Sequence, residues 1–249
     1  MNSELMGMVI KEKDLNESDK VVTILTSEKG IISAIAKRSK SFRNSLGGMI
    51  QLFSYGKFNL YDGKYGYLLR SMEVEESFLD LRYELKSLSL AQYFCQLCLT
   101  LRPEQNVSNE ILRVLLNCLF YLSRKKKEDL LIKSIFELRS CSLCGYMPEL
   151  NSCGRCGKQG NFCNFQIESG TSLCEACTIK DGGYDLINPA VLASMRHIVH
   201  SPLENLFKFS VPKEVVFALN FITERYVKYH VCEKFSSLEF FNHLLELER

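Results

Sequence analysis

Residues 153–177 read CGRCGKQGNFCNFQIESGTSLCEAC, and this stretch contains two Cys-x2-Cys pairs. Cys153 and Cys156 form the first pair, Cys174 and Cys177 form the second, and 17 residues separate the two. Two residues between thiolates let one tight turn direct both sulfurs at a single ion, and a second such turn completes a tetrahedral set. The spacing therefore predicts one zinc ion bound by these four cysteines.

The ligand set predicts that this zinc is structural. Four thiolates leave no coordination position for water, whereas a catalytic zinc keeps one position open and often uses histidine ligands. No histidine lies between Cys141 and Cys177. Accidental thiol pairs or disulfides are the alternative interpretation. Cys141, Cys144 and Cys163 are alternative ligands, because they flank the cysteine module or lie within it.

Composition and length indicate a globular chain that stays inside the cell. The 249 residues allow one large or two small domains, and the net charge of +2 does not by itself imply a polyanionic partner. The opening MNSELMGMVI lacks the basic segment and apolar run of a signal peptide, and no stretch approaches 18 consecutive apolar residues. We therefore expect a cytoplasmic, reducing environment without membrane insertion, in which the cysteines that do not bind zinc are free thiols.

The N-terminal part of the chain reads as five short strands separated by polar turns. The apolar runs are Met6–Ile10, Val21–Leu25, Ile31–Ala36, Met49–Leu60 and Tyr65–Leu69. Asp62-Gly63 predicts a tight hairpin between the last two runs. Five strands in this length predict a small closed barrel such as an OB-fold, which we expect to form a domain over residues 1–72.

From Val74 onwards the apolar residues recur at three- and four-residue spacing, which predicts helices. The expected helices are Val74–Leu101, Ser108–Leu122, Glu128–Cys144 and residues 189–199, 213–231 and 237–248. The second of them is apolar nearly all round, so it is expected at the centre of a helical core. The predicted fold class is α+β: an OB-fold barrel, then a helical domain over residues 73–249 with the zinc module inserted at about 148–181.

Overall neutrality hides a local excess of basic residues. Between Lys29 and Arg70 eight basic residues face a single acidic one, Asp62, which leaves a local net charge of +7. Such a surface attracts a phosphate backbone and gains entropy by counterion release. The residues predicted to bind DNA are Lys37, Arg38, Lys40, Arg43 and Lys57. A merely solvated loop is the alternative for the dense run after the third strand.

Aromatic residues are interleaved with these cations. They are Phe53, Tyr55, Phe58, Tyr61, Tyr65 and Tyr67. Exposed rings on an OB-fold stack with unpaired bases, but aromatics in strands more often belong to the barrel core. We therefore expect only one or two of the six to be exposed.

The sequence contains no motif that indicates catalysis. The four histidines form no metal-binding or catalytic set, and no nucleophile elbow, phosphate-binding glycine loop or Walker-type lysine is present. The prediction is a protein without enzymatic activity. A nuclease is a rival hypothesis that would need clustered carboxylates, and the acidic stretch Glu73–Glu84 reads as a solvated helix instead.

Several short motifs accompany the barrel, the helices and the cysteine module. They are Glu17-Ser18-Asp19-Lys20, Thr26 with Gly30, Ala36-Lys37, Glu137-Leu138, Gly145-Tyr146-Met147-Pro148-Glu149-Leu150 before Cys153, and Tyr226…His230…Ser237. Together they resemble the RecO family of bacterial recombination mediators over nearly the whole chain. Two positions depart from the family: Arg38 replaces a common glycine, and Ser169-Gly170 replaces a double glycine. Some members of the family lack the cysteines, so the metal is argued from the four cysteines alone.

The resemblance implies a non-enzymatic, nucleoid-associated protein of DNA repair. It implies binding of single- and double-stranded DNA, annealing of complementary strands, and action with RecR and with the acidic C-terminal tail of single-stranded-DNA-binding protein. The implied result is loading of RecA onto coated single strands. By position, Lys37, Arg38 and Lys40 are the residues that the resemblance assigns to DNA. A zinc-braced interaction scaffold or transcription factor without direct single-strand binding is the alternative function.

Overall fold

The structure, a computed structural model, describes residues 2–41, 46–64, 66–160, 162–178 and 184–247. The chain divides into two compact units. The first combines Met1–Arg124 with Phe235–Arg249, and the second is Lys125–Lys234. Across the described ranges, no helix combines the length and the hydropathy needed to cross a bilayer.

The described regular elements are nine strands and nine α-helices. The strands are β1 (Asn2–Asp14), β2 (Lys20–Thr26), β3 (Ile31–Ala36), β4 (Tyr55–Gly63), β5 (Gly66–Glu76), β6 (Glu149–Cys153), β7 (Asn164–Gln166), β8 (Thr171–Leu173) and β9 (Asp185–Leu186). The helices are α1 (Leu46–Met49), α2 (Leu85–Leu101), α3 (Gln105–Ser123), α4 (Asp129–Leu143), α5 (Glu175–Thr178), α6 (Pro189–His200), α7 (Leu203–Leu206), α8 (Lys213–Val231) and α9 (Ser236–Leu247). A 3-10 turn at Leu79–Tyr83 precedes α2.

The first five strands close into a barrel in the order β1-β2-β3-β5-β4. All neighbouring strands are antiparallel except β3 and β5, which pair in parallel over Ala34–Ala36. This is the arrangement of an OB-fold and confirms the predicted fold class. β5 continues to Glu76, beyond the expected domain boundary at residue 72.

The barrel interior is filled by alternating apolar residues. In β3, for example, Ile32, Ala34 and Ala36 are buried while Ser33 is exposed. Leu46 of α1 and Ile50 belong to the same core. The expected strand Met49–Leu60 is therefore wrong in its first part: those apolar residues lie in a short helix and turn that pack against the barrel interior, and β4 begins only at Tyr55.

The turn between β2 and β3 is fixed by Thr26 and Gly30. The Thr26 hydroxyl donates to the Gly30 carbonyl at 2.8 Å and accepts the Lys29 N–H at 2.9 Å. The Ser108 hydroxyl of α3 donates to the Thr26 carbonyl. Gly30 has φ +67°, and a Cβ there would lie 2.9 Å from the Pro103 carbonyl oxygen. These contacts give a structural reason for the Thr26 and Gly30 motif.

We expect Gly30→Ala to lower the free energy of unfolding by about 1–3 kcal/mol, because an L-residue is strained at this positive φ and its Cβ meets a backbone oxygen. Chemical denaturation monitored by circular dichroism measures the change. Gly48→Ala is the matched control, since a Cβ at Gly48 has no atom within 4 Å. Equal stability of the two variants would contradict the prediction.

The central helix of the second unit is α4, and the expectation that Ser108–Leu122 occupies the centre of a helical core is wrong. Every residue from Leu131 to Ser142 is buried, whereas α3 leaves Phe120 38% exposed. The burial of α4 is hard to predict from its sequence, because the helix contains Lys133, Glu137 and Arg139. Buried charged side chains require hydrogen bonds and opposite charges, and here residues of other helices supply them.

Lys133 forms the middle of a buried ion network between α4 and α8. Its ammonium lies 2.9 Å from a carboxylate oxygen of Glu137 and 2.9 Å from one of Glu224. It also donates to the Asn220 side chain at 2.9 Å, and the Thr223 hydroxyl donates to Glu137 at 2.7 Å. Lys133 and Glu137 have no exposed side-chain surface.

The cysteine module is a small sheet in the order β6-β8-β7-β9. Short turns lie between its strands, and α5 lies between β8 and β9 in the chain. β6 and β8 run parallel, and the other pairs are antiparallel. The module lies in the chain between α4 and α6, as the inserted position in the sequence predicts.

Candidate metal centre and nucleic-acid interface

The structure brings the four expected cysteines together. The sulfur atoms of Cys153, Cys156, Cys174 and Cys177 all lie within 4.8 Å of one another, and those of Cys156 and Cys174 are 3.8 Å apart. A tetrahedral zinc with bonds of about 2.3 Å places its sulfur ligands roughly 3.8 Å apart. The four residues therefore fit a tetrahedral metal ion.

Backbone hydrogen bonds shape both cysteine turns. The Gly157 N–H donates to the Cys153 carbonyl at 2.9 Å, and the Cys177 N–H donates to the Cys174 carbonyl at 3.0 Å. Gly157 has φ +71°, a conformation that favours glycine. These turns point both sulfurs of each pair in one direction, which is the geometry that the two-residue spacing predicts.

The thiols differ in acidity. Burial acts to raise the pKa of Cys153, but the N–H groups of Cys174, Cys156 and Arg155 outweigh it and lower this pKa to about 6. Hydrogen bonds with the thiols of Cys174 and Cys156 raise the pKa of Cys177 to about 12. Four negative sulfurs at this separation repel one another, so full ionisation needs a cation between them.

Side chains of α6 and α8 attach the module to the helices of its own unit. Arg196 of α6 donates to the Leu150 carbonyl from Nε at 2.9 Å and from a terminal nitrogen at 2.6 Å. The Tyr226 hydroxyl donates to the Tyr146 carbonyl at 3.2 Å, and the His230 ring lies 2.8 Å from the Ile167 carbonyl oxygen. Tyr226 and His230 of the C-terminal motif thus act in positioning the module.

The alternative cysteine ligands lie outside the cluster. Cys141 is buried in α4, and burial raises the pKa of its thiol, which favours the protonated form. Cys163 is exposed and receives a hydrogen bond from the Asn164 side chain at 3.2 Å. Cys144 is half-buried at the end of α4. None of the three belongs to the group of four sulfurs.

Four of the five residues predicted to bind DNA lie in the barrel, and Arg43 lies outside the described residues. Lys37, Arg38 and Lys40 form the turn after β3, and all three are exposed. Arg38 adopts φ +54°, and its N–H donates to a carboxylate oxygen of Asp19 at 2.8 Å. This hydrogen bond and others lower the pKa of Asp19, which therefore stays ionised beneath the turn.

Carboxylates accompany two of these cations. Lys40 lies 2.8 Å from Asp14, and Lys57 lies 3.7 Å from Glu4. Both pairs are substantially exposed, so each contributes little to stability and can be exchanged for a phosphate partner. The first 72 residues contain eleven basic and seven acidic residues, a net charge of +4 rather than the +7 of the Lys29–Arg70 window.

The aromatic residues of the barrel are mostly internal. Phe53 and Phe58 are fully buried, and Tyr55 and Tyr67 are half-buried. Tyr61 is 39% exposed, and the guanidinium of Arg70 lies 5.0 Å from its ring centroid. Tyr65 lies outside the described residues. One exposed ring among the five described agrees with the expectation of one or two.

Comparison with known protein families gives two matches that together span most of the chain. The family described as Recombination protein O N terminal matches residues 1–78, and that described as Recombination protein O C terminal matches residues 82–239. The chain belongs to the RecO family. This agrees with the resemblance noted from the motifs, and it places the protein among DNA repair proteins.

Relatives named DNA repair protein RecO match the chain along nearly all of its length. The protein from Acetivibrio thermocellus is 33% identical over 94% of this chain and 94% of its own. That from Clostridium novyi is 26% identical over 97% and 94%, and that from Alkaliphilus metalliredigens 28% over 94% and 96%. The similarity therefore covers the barrel, the helices and the cysteine module together.

Proposed function

We propose that this protein is a non-enzymatic recombination mediator that binds single- and double-stranded DNA through its barrel and anneals complementary strands. The observation that carries the proposal is a closed five-stranded barrel that presents Lys37, Arg38 and Lys40 on one exposed turn, in a chain of the RecO family. Cations at this position attract phosphates of any sequence, so binding depends strongly on salt and weakly on base identity.

The β3–α1 turn is suited to this role because its backbone is held while its side chains reach solvent. Asp19 receives the Arg38 N–H, and the Lys40 N–H donates to the Ser18 carbonyl at 3.1 Å. The cations are thus presented from a fixed turn, which limits the conformational entropy lost on binding. Tyr61 is an additional candidate for stacking on an unpaired base.

Membership of the RecO family supports further proposals about partners. We propose that the protein acts with a RecR-type mediator, engages the C-terminal tail of single-stranded-DNA-binding protein, and thereby helps to load a RecA-type recombinase. For the metal, we propose a single structural zinc held by Cys153, Cys156, Cys174 and Cys177. When bound, zinc would cross-link the two cysteine turns and keep the small sheet folded.

Charge reversal of the turn tests the DNA proposal. We expect Lys37→Glu combined with Arg38→Glu to weaken binding to random-sequence single strands at least tenfold at low salt, because two phosphate contacts become repulsive. The slope of log affinity against log salt concentration should become shallower by about 1.4, at roughly 0.7 for each lost contact to a single strand. Fluorescence anisotropy at several salt concentrations measures both quantities.

The control for this experiment is Lys213→Glu combined with Lys234→Glu, two exposed lysines of the second unit. An unchanged salt slope in the turn variant would remove the turn from the DNA interface. Failure of the unaltered protein to bind single strands at all would favour the interaction scaffold instead. Degradation of labelled DNA with Mg²⁺ would favour the nuclease.

A further inference from the structure

An open groove of about 960 Å³ lies in the first unit between the β2–β3 turn and the connection from α2 to α3. Three cationic residues line it: Lys11 from β1, Lys29 from the β2–β3 turn and Arg102 from the end of α2. Glu104 is the acidic residue in its lining. The DNA-binding residues predicted from the sequence do not include any of these three cations.

Two of the cations have no partner in the described part of the chain. Neither Lys11 nor Arg102 forms a side-chain hydrogen bond or an ion pair with another described residue. Lys29 donates to the Tyr67 hydroxyl at 3.2 Å, a neutral partner that leaves its charge uncompensated. Lys40 and Lys57, in contrast, both have carboxylate neighbours. The groove therefore gathers positive charge that an anion can neutralise.

Backbone contacts hold the walls of the groove in place. Gly30 on one wall approaches the Pro103 carbonyl on the other so closely that a Cβ would lie 2.9 Å from it. The Ser108 hydroxyl donates to the Thr26 carbonyl and fixes α3 to β2. Arg102 takes φ +47°, and its N–H donates to the Cys98 carbonyl at 3.0 Å. The backbone that carries Lys29 and Arg102 is thus held in place before a ligand binds.

The rest of the lining suits phosphate oxygens. Lys11, Thr23 and Ser33 stand in one row across β1, β2 and β3, because Lys11 pairs with Thr23 and Thr23 pairs with Ser33. Thr23 and Ser33 both line the groove, and so do Gln105 and Asn106 at the start of α3. Hydroxyl and amide side chains beside lysine and arginine are typical phosphate ligands of nucleic-acid-binding proteins.

The cationic surface continues from the groove towards the β3–α1 turn. Lys13 lies two residues beyond Lys11 on β1, so both side chains project from the same face of the strand, and both are exposed. Lys13 likewise forms no ion pair with another described residue. Its row on the sheet continues through Val21 to Ile35, two residues before Lys37. This continuity favours an extended phosphate backbone over a compact anion or an acidic peptide.

We propose that the groove lined by Lys11, Lys29 and Arg102 is a phosphodiester-binding site that extends the path of a single DNA strand from the β3–α1 turn across β1–β3 to the α2–α3 connection. The proposal rests on the proposed single-strand binding and adds a second contact surface to it. A strand on this path touches the turn and the groove at once, so long oligonucleotides gain more from the groove than short ones.

The test compares Lys11→Gln/Arg102→Gln with the unaltered protein in binding to oligodeoxythymidines of about 10 and about 30 nucleotides, of which the first is within the usual OB-fold site size and the second exceeds it. The groove variant should bind the longer oligonucleotide roughly tenfold more weakly, with a salt slope shallower by about 1.4 for two lost contacts. The loss should be smaller for the shorter oligonucleotide. Lys11→Gln/Lys13→Gln, which leaves the backbone at Arg102 untouched, should repeat the result.

Lys213→Gln/Lys234→Gln removes the same charge from the second unit and serves as the control. If the groove variant matches this control in affinity and salt slope while the turn variant binds more weakly, the groove is not a DNA-binding site, although the turn still is. If the unaltered protein does not bind single strands, both the proposed function and the proposed groove site are rejected. Normal DNA binding by the groove variant with lost binding of poly-glutamate would identify an acidic-peptide site and also overturn the proposal.

Discussion

Replacing Cys153 by serine is expected to release the metal ion and to unfold the cysteine module. The Cys153 sulfur is buried and accepts the Cys174 N–H, so it is the best-held member of the cluster. A serine hydroxyl does not replace a thiolate as a zinc ligand. Structural zinc contributes about 10–16 kcal/mol of apparent binding free energy in zinc-finger peptides, and this free energy is coupled to folding. Elemental analysis should fall from one zinc per chain to none.

The exposed module should then become a site of proteolysis. β6 pairs with β8 at few residues. The Gly154 N–H, which donates to the Ser172 carbonyl at 3.0 Å, belongs to the first cysteine turn. Loss of that turn therefore also loosens the sheet. Limited proteolysis followed by mass spectrometry should place new cleavage sites between Glu149 and Thr178. A strong chelator should produce the same cleavage pattern in the unaltered protein.

Cys163→Ser is the matched control, because Cys163 is an exposed cysteine of the same module outside the cluster. It should retain one zinc and the proteolytic resistance of the unaltered protein. Full zinc content in Cys153→Ser would show that Cys153 is not a ligand. Loss of zinc in Cys163→Ser would place that residue in the metal site instead of one of the four.

Lys133→Ala is expected to lower the free energy of unfolding of the second unit by about 3–5 kcal/mol. The substitution removes the ammonium that lies 2.9 Å from a carboxylate oxygen of the buried Glu137 and 2.9 Å from one of Glu224. Removing one partner of a buried ion pair lowers the free energy of unfolding by about this amount, because the remaining charge cannot be solvated. Urea denaturation followed by circular dichroism measures the change.

Lys126→Ala, at an exposed lysine close in sequence, should change stability by less than about 0.5 kcal/mol. Lys133→Met combined with Glu137→Leu separates charge from packing, because replacing both partners by apolar residues often restores stability. The double variant should be more stable than Lys133→Ala alone. If Lys133→Ala unfolds at the same urea concentration as Lys126→Ala, the network does not stabilise the unit.

The charge on the barrel surface differs from the charge counted over a continuous stretch of the sequence. The Lys29–Arg70 window contains one acidic residue, but β1 lies beside both β2 and β4 and brings its own carboxylates to them. Asp14 thereby reaches Lys40, and Glu4 reaches Lys57. The unpaired cations Lys11 and Lys13 come from the same strand, outside the window, and they supply positive charge that the window omits.

Local pattern was enough to predict the parts of this protein that depend on residues close together in the chain. The two-residue spacing selected four cysteines whose sulfurs meet, since a tight turn fixes the geometry within each pair. Short apolar runs separated by polar turns predicted the barrel, and the helical periods placed α3, α6 and α8 within a few residues of their observed ends. The motif Thr26…Gly30 marked a turn whose hydrogen bonds are themselves local.

Which helix is central, and where charge accumulates, depends on contacts that form only when the chain folds. α4 is buried on all sides although it contains Lys133, Glu137 and Arg139, because these three side chains find partners on α8 and α6. Likewise, the groove at Lys11, Lys29 and Arg102 joins three segments that are distant in sequence. Pairing between charges depends on distance in space, and residues far apart along the chain have no fixed distance until the chain is folded.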